Sequence, residues 1–221
     1  MNYLVYAVAA VALLYVVLVT VVMVLSVRKM RQPEGLLETV NEPQRLDAFP
    51  EVVEWADAQG FELNSQFLFD GLVGAGGMKM AVEGWFNPSR NLFLMYYHVQ
   101  NKRYFEFISG LEGGYSLASS CSKDSLSLPF PEKVFCQAFD GASLDELFDA
   151  HLKALKFFET HFGVKAVAPD LPLRSLITRS ISKQMNYVQG LPFWYLRGAW
   201  WHLVRRRQLA NKSIIDVIQN L

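Results

Sequence analysis

The run YLVYAVAAVALLYVVLVTVVMVLSV, from Tyr3 to Val27, carries no charge over 25 residues. As a helix it would reach roughly 37 Å, more than the hydrocarbon core of a bilayer, which is about 30 Å thick. Its few polar groups are Thr20, Ser26 and the tyrosine hydroxyls. A cleaved secretory signal needs a basic leader and an apolar stretch of only about 7–15 residues. The run has neither, so it reads as an uncleaved membrane span. Only Met1 and Asn2 precede it, whereas Arg28, Lys29 and Arg31 follow at once. Positive charge stays on the cytoplasmic side. The expected topology therefore has the N-terminus outside and the remainder of the chain in the cytoplasm.

The remaining residues divide by pattern. Residues 1–31 form the span and its basic flank. Residues 32–47, with two prolines, a glycine and no period, read as a linker. Residues 48–170 read as a cytoplasmic α+β domain. The segment from Phe49 to Gly60 predicts a helix with Val52, Val53 and Ala56 inward, Pro50 in its first turn and Gly60 as its stop. Alternation of period two then appears in FELNSQFLFD, with Phe61, Leu63, Phe67 and Phe69 on one side. Further runs at 78–86, 91–99, 103–109, 115–121 and 134–139 predict an antiparallel meander of five or six strands. NLFLMYYHV is apolar on both faces, which places it centrally. Ser143 and Glu146 have the spacing of a capping box. They open a helix whose inward face is Leu144, Leu147, Leu155, Phe158 and Phe162, with Gly163 as its stop. A second amphipathic helix carries Leu173, Leu176, Ile177, Ile181, Met185 and Val188 as its stripe. Strands followed by covering helices give an α+β fold.

Charge is neutral overall but sorted along the chain. From Gln32 to Asp170 there are 10 Lys and Arg against 20 Asp and Glu. From Leu171 to Leu221 there are 8 against the single Asp216. Such segregation concerns partners and surfaces more than fold. The two cysteines, Cys121 and Cys136, lack CxxC spacing, and a cytoplasmic domain expects them reduced.

Several motifs invite chemistry and fail on context. DGLVGAGG at 70–77 lacks the G-x-G-x-x-G order and precedes a strand pattern, so it reads as a hairpin loop rather than a phosphate cradle. Ser120 and Lys123 have S-x-x-K spacing, but at a strand end and without partner motifs. His151 falls beside Leu147 and Leu155 and reads as a packed core histidine. A site built by the fold from Cys136, His98 and His151 is the weaker alternative. Glu83 and Glu106 lie in strands, where an exposed polar face is the plainer reading. No motif calls for a cofactor or metal.

Residues 171–221 form a basic helical tail, and within it GLPFWYLRGAWWHLVRRR stands apart. Trp194, Tyr195, Arg197, Trp200, Trp201, Arg205, Arg206 and Arg207 are its candidate contact residues. Tryptophan and tyrosine suit the headgroup layer, where the ring is apolar and the N–H or O–H needs water. Arginine stems can snorkel toward anionic lipid. The same residues could pack on protein, and nucleic acid is the least favoured partner. The expected function is a membrane-anchored, cytoplasm-facing accessory, scaffold or assembly protein, contacting the lipid bilayer and a protein partner. The alternative is an enzyme or small-ligand binder with a site between the sheet and its covering helices.

Overall fold

The computed structural model describes residues 2–40, 50–71 and 79–220. The expected loop at 70–77 and the latter part of the expected linker thus fall mostly outside the described residues. Helix α1 (Asn2–Lys29) is long and apolar enough to cross a membrane. Thr20 and Ser26 return their hydroxyl protons to the carbonyls of Val16 and Val22, at 2.7 and 2.8 Å. Neither hydroxyl therefore asks for a partner outside the helix.

The fold is α+β, with seven strands rather than five or six, in the order β1 to β7: Leu37–Thr39, Glu62–Phe69, Met80–Asn87, Leu92–Val99, Lys102–Leu111, Tyr115–Ser120 and Val134–Ala138. The additional strand, β1, comes from the segment read as a linker. Its three residues are too few to show a period, yet it pairs with β2 through Leu37↔Phe69. The sheet is also mixed rather than antiparallel, because β6 and β7 run parallel. Parallel neighbours need a connection of about a dozen residues. Residues 121–133, including a short 3-10 turn at Lys123–Leu126, supply it.

Helices cover both faces. On one lie α2 (Pro50–Ala58) and α3 (Leu144–Phe162), packed on Trp85, Leu94, Phe107 and Leu117. The Ser143–Glu146 capping box forms, and Gly163 ends α3 at φ +66°. The inward face of α3 differs in part from expectation. Phe148, His151, Ala154 and Phe157 are buried with Leu147 and Phe158, whereas Phe162 at the last turn is 50% exposed. In β2 a bulge between Leu63 and Ser65 breaks the alternation, so Phe61 and the exposed Leu63 lie on the Trp85 face and Phe67 and Phe69 on the other, rather than all four on one side.

On the opposite face lies α4 (Leu173–Gly190). It approaches the sheet closely at Gly84, where a Cβ would come within 2.1 Å of Leu173 Cδ2. Beyond α4 the tail runs as α5 (Trp194–Trp200), a π-helical turn (Trp201–Arg205) and α6 (Arg206–Leu209). It then crosses the β7 edge, where the Asn211 N–H donates to Ala138 O at 2.7 Å. The capped α7 (Ile214–Gln219) returns to the face held by α3. The tail thus straps the last strand.

Phe158 is 1% exposed in a cluster with Leu117, Phe157 and Ile214. Phe158→Ala should cost about 3–5 kcal/mol through lost burial and the cavity it leaves. Denaturant unfolding of the detergent-solubilised protein measures this, and a loss below about 1 kcal/mol would contradict the packing.

Candidate functional site

The last turns of α1 are built into the domain. Tyr3 to Leu18 are exposed throughout, and the first buried residue of the helix is Met23. Met23 and Val27 join Leu128, Met185 and Val188 in one apolar cluster, with Ile181 and Trp194 packed at its border. Lys29 closes this end by pairing with Asp70 at 2.7 Å. Helix α5 rests on α1 at Gly198, where a Cβ would come within 2.2 Å of Met23 Sδ. Gly198 and Ala199 are both buried there. The contact needs a residue without a side chain, and the Gly-Ala pair in an otherwise bulky helix was its only trace in the sequence.

The eight candidate residues of the tail split between two sides. Trp194, Trp201 and Arg206 turn toward protein. Trp194 packs beside Met185 and Val188. The Trp201 indole N–H donates to Leu126 O at 2.9 Å. Arg206 pairs with Asp124 at 2.6 Å, its own side chain being 13% exposed. The π turn explains why Trp201 and Arg206 meet the same segment. Residues five apart lie about 140° apart on an α-helix. A π turn closes i→i+5 bonds and brings them into line.

Tyr195, Arg197, Trp200 and Arg207 turn outward, while Arg205 is half-buried and lies 3.4 Å from Gln208 Oε1. With them a row of apolar side chains is exposed: Phe193, Leu196, Trp200 and Val204, of which Phe193 is 69% and Trp200 52% exposed. Phe193 holds φ +52°, a conformation that costs a non-glycine residue energy, and its ring still faces outward.

The other chemistry-bearing groups sort themselves by burial. His151 is fully buried between Ser119 Oγ (2.8 Å from Nδ1) and Ser109 Oγ (3.1 Å from Nε2). Gln137 extends this chain, donating to Ser119 Oγ and accepting from the Ile214 N–H. The network fastens α3 and α7 to the sheet, and burial holds the imidazole neutral, pushed down to about 3. His98, Cys136 and His151 do not form a common site, since Cys136 lies on the sheet face opposite His151. The sheet likewise separates Cys136 from Cys121, and both thiols are free. Lys123 Nζ pairs with Asp140, so it is a bound cation rather than a base for Ser120. Glu83 and Glu106 lie on opposite faces, and neither belongs to the exposed polar face expected of them. Glu83 is 1% exposed and accepts from Gln66, and Glu106 accepts from the Tyr97 hydroxyl at 2.9 Å. Burial raises the Glu106 carboxyl to about 7, against the opposing pull of Tyr97.

A cleft of about 350 Å³ lies between α2 and β2–β3, lined in part by Asp57, Phe61, Glu62, Glu83 and Trp85. Trp85 Nε1 is buried there without a hydrogen-bond partner, as is the Tyr96 hydroxyl on the neighbouring strand. Among the described residues, no three of His, Cys, Asp or Glu converge as a metal site. Compared with protein-family models, curated proteins and solved structures, the chain matches none.

The two buried titratable groups oppose each other in pH. Glu106 favours folding below its unfolded value of 4.5 and loses that advantage as pH rises toward 7, on the order of 3 kcal/mol. His151 contributes fully above 6.5 and loses its contribution as pH falls toward 3. Between 4.5 and 6.5 the slopes offset one another. Glu106→Gln should therefore gain stability over the parent as pH rises from 5 to 8, measured by denaturant unfolding at both values. A constant difference would place the Glu106 carboxyl in water.

Proposed function

We propose that the protein is a single-pass membrane protein that holds its α+β domain against the cytoplasmic face of the bilayer, as an accessory, scaffold or assembly subunit. The observation that carries this reading is the seating of α1. From Tyr3 to Val22 nearly every side chain faces outward, as lipid requires, and from Met23 onward the helix belongs to the domain's own core. Cleavage after the apolar run would strip Met23 and Val27 from that core. A buried core helix would not leave some twenty residues bare. The basic residues Arg28, Lys29 and Arg31 at the gripped end support the cytoplasmic side for the domain. The protein partner of such a subunit would be basic, to complement the acidic excess of residues 32–170.

The cleft beside α2 favours a second reading, a small-ligand binder. Its walls combine aromatic rings with carboxylates, Trp85 and Glu83 among them. A titration of the purified protein with small amines and amides, followed by tryptophan fluorescence, tests it, and Trp85→Phe should remove any response.

For the anchoring role the test is topology and integrity together. A periplasmic-type or luminal reporter fused after Leu221 should stay silent, and the same reporter placed before Met1 should be active. The purified chain should retain its N-terminal residues. Activity at the C-terminus would reverse the orientation, and a chain beginning near Val27 would refute the anchor.

A further inference from the structure

We infer that the outward row on α5 and its continuation is a second membrane contact, one that gathers anionic phospholipid around the base of the anchor. The inference rests on the reading that α1 spans the bilayer. Depth comes first. The outward-facing stretch Tyr3–Val22 is twenty residues, which at 1.5 Å each reaches about 30 Å, the thickness of the hydrocarbon core. The next residue, Met23, is the one on which Gly198 sits. Helix α5 therefore meets α1 where hydrocarbon gives way to headgroups.

The outward side chains suit that depth. Phe193, Leu196, Trp200 and Val204 supply an apolar row, and Tyr195 and Trp200 supply rings with a polar edge.

Charge then selects the lipid. The cations that face protein here are matched by carboxylates, Lys29 by Asp70 and Arg206 by Asp124. Arg28, Arg31, Arg197 and Arg207 are exposed and make no ion pair among the described residues. Asp216 is the one acid after Asp170. Phosphate groups at the same depth complete these cations, and a net anionic headgroup does so without an accompanying ammonium.

The full-length protein in phosphatidylcholine vesicles tests both parts. Vesicles carry one brominated lipid at about a tenth of the total, either phosphatidylcholine or phosphatidylglycerol, and tryptophan quenching is read. Both should quench, Trp200→Phe should remove most of the effect, and brominated phosphatidylglycerol should quench as though enriched about fivefold. Replacing Arg197 and Arg207 with Glu should bring the two lipids level, with quenching by phosphatidylcholine retained. Equal quenching in the parent protein would overturn the headgroup preference while leaving the membrane contact standing. No difference between the parent and Trp200→Phe with either lipid would overturn the contact itself. The topology reporters would still judge the anchor separately.

Discussion

Val27 has no exposed surface, and the structure hangs on where it sits. It belongs at once to an apolar helix and to a cluster built from α4 and the β6–β7 connection, through Met185, Val188 and Leu128. Burying a side chain of this size stabilises by roughly 1.5–3 kcal/mol. With Met23 beside it, the seat is worth a sizeable part of an ordinary domain's stability, about 5–15 kcal/mol. Helix α1 is therefore joined to the domain without a flexible tether. Its direction fixes the direction of α4, and α4 fixes the sheet through the contact of Leu173 on Gly84.

The sheet's two faces have different tasks as a result. The face under α2 and α3 is closed by aromatic packing, with Trp55, Phe61, Phe107 and Phe148 in mutual contact at 5.2–6.1 Å. Its buried polar groups include the His151 network, a neutral imidazole held between serines, and Glu83, which accepts from Gln66. The other face carries α4. There Glu106 accepts from the Tyr97 hydroxyl, and burial is the chief cause of its raised affinity for a proton. A protonated carboxyl accepting from a phenol is a neutral pair, suited to a layer roofed by apolar helices.

Much of this was legible in the residues, and the remainder was hidden for physical reasons. Six of the strands, the capping box at Ser143 and the burial of His151 follow from local pattern, because period and capping are local properties. β1 was invisible, since three residues carry no period and its pairing with β2 is set by tertiary contact. The parallel β6–β7 pair was misread as a hairpin succession, although the length of 121–133 permitted a crossover. The tail's aromatic and basic character was plain, but its division into sides was not. An unbroken α-helix would set Trp201 and Arg206 well apart, and only the π turn puts both on Asp124 and Leu126. The packing role of Gly198 depended on a partner 175 positions earlier, beyond the reach of any helical wheel.

That separation between Met23 and Gly198 also bears on how the chain is made. The seat of α1 is completed by a segment translated 175 residues later. Until residue 198 emerges, the apolar seat of Met23 and Val27 lacks its lid, and the β7 edge lacks the strap that Asn211 secures. Closing so long a loop is slow in a free chain. Nascent chains that stall before the tail would be marked by an open seat and an uncovered strand.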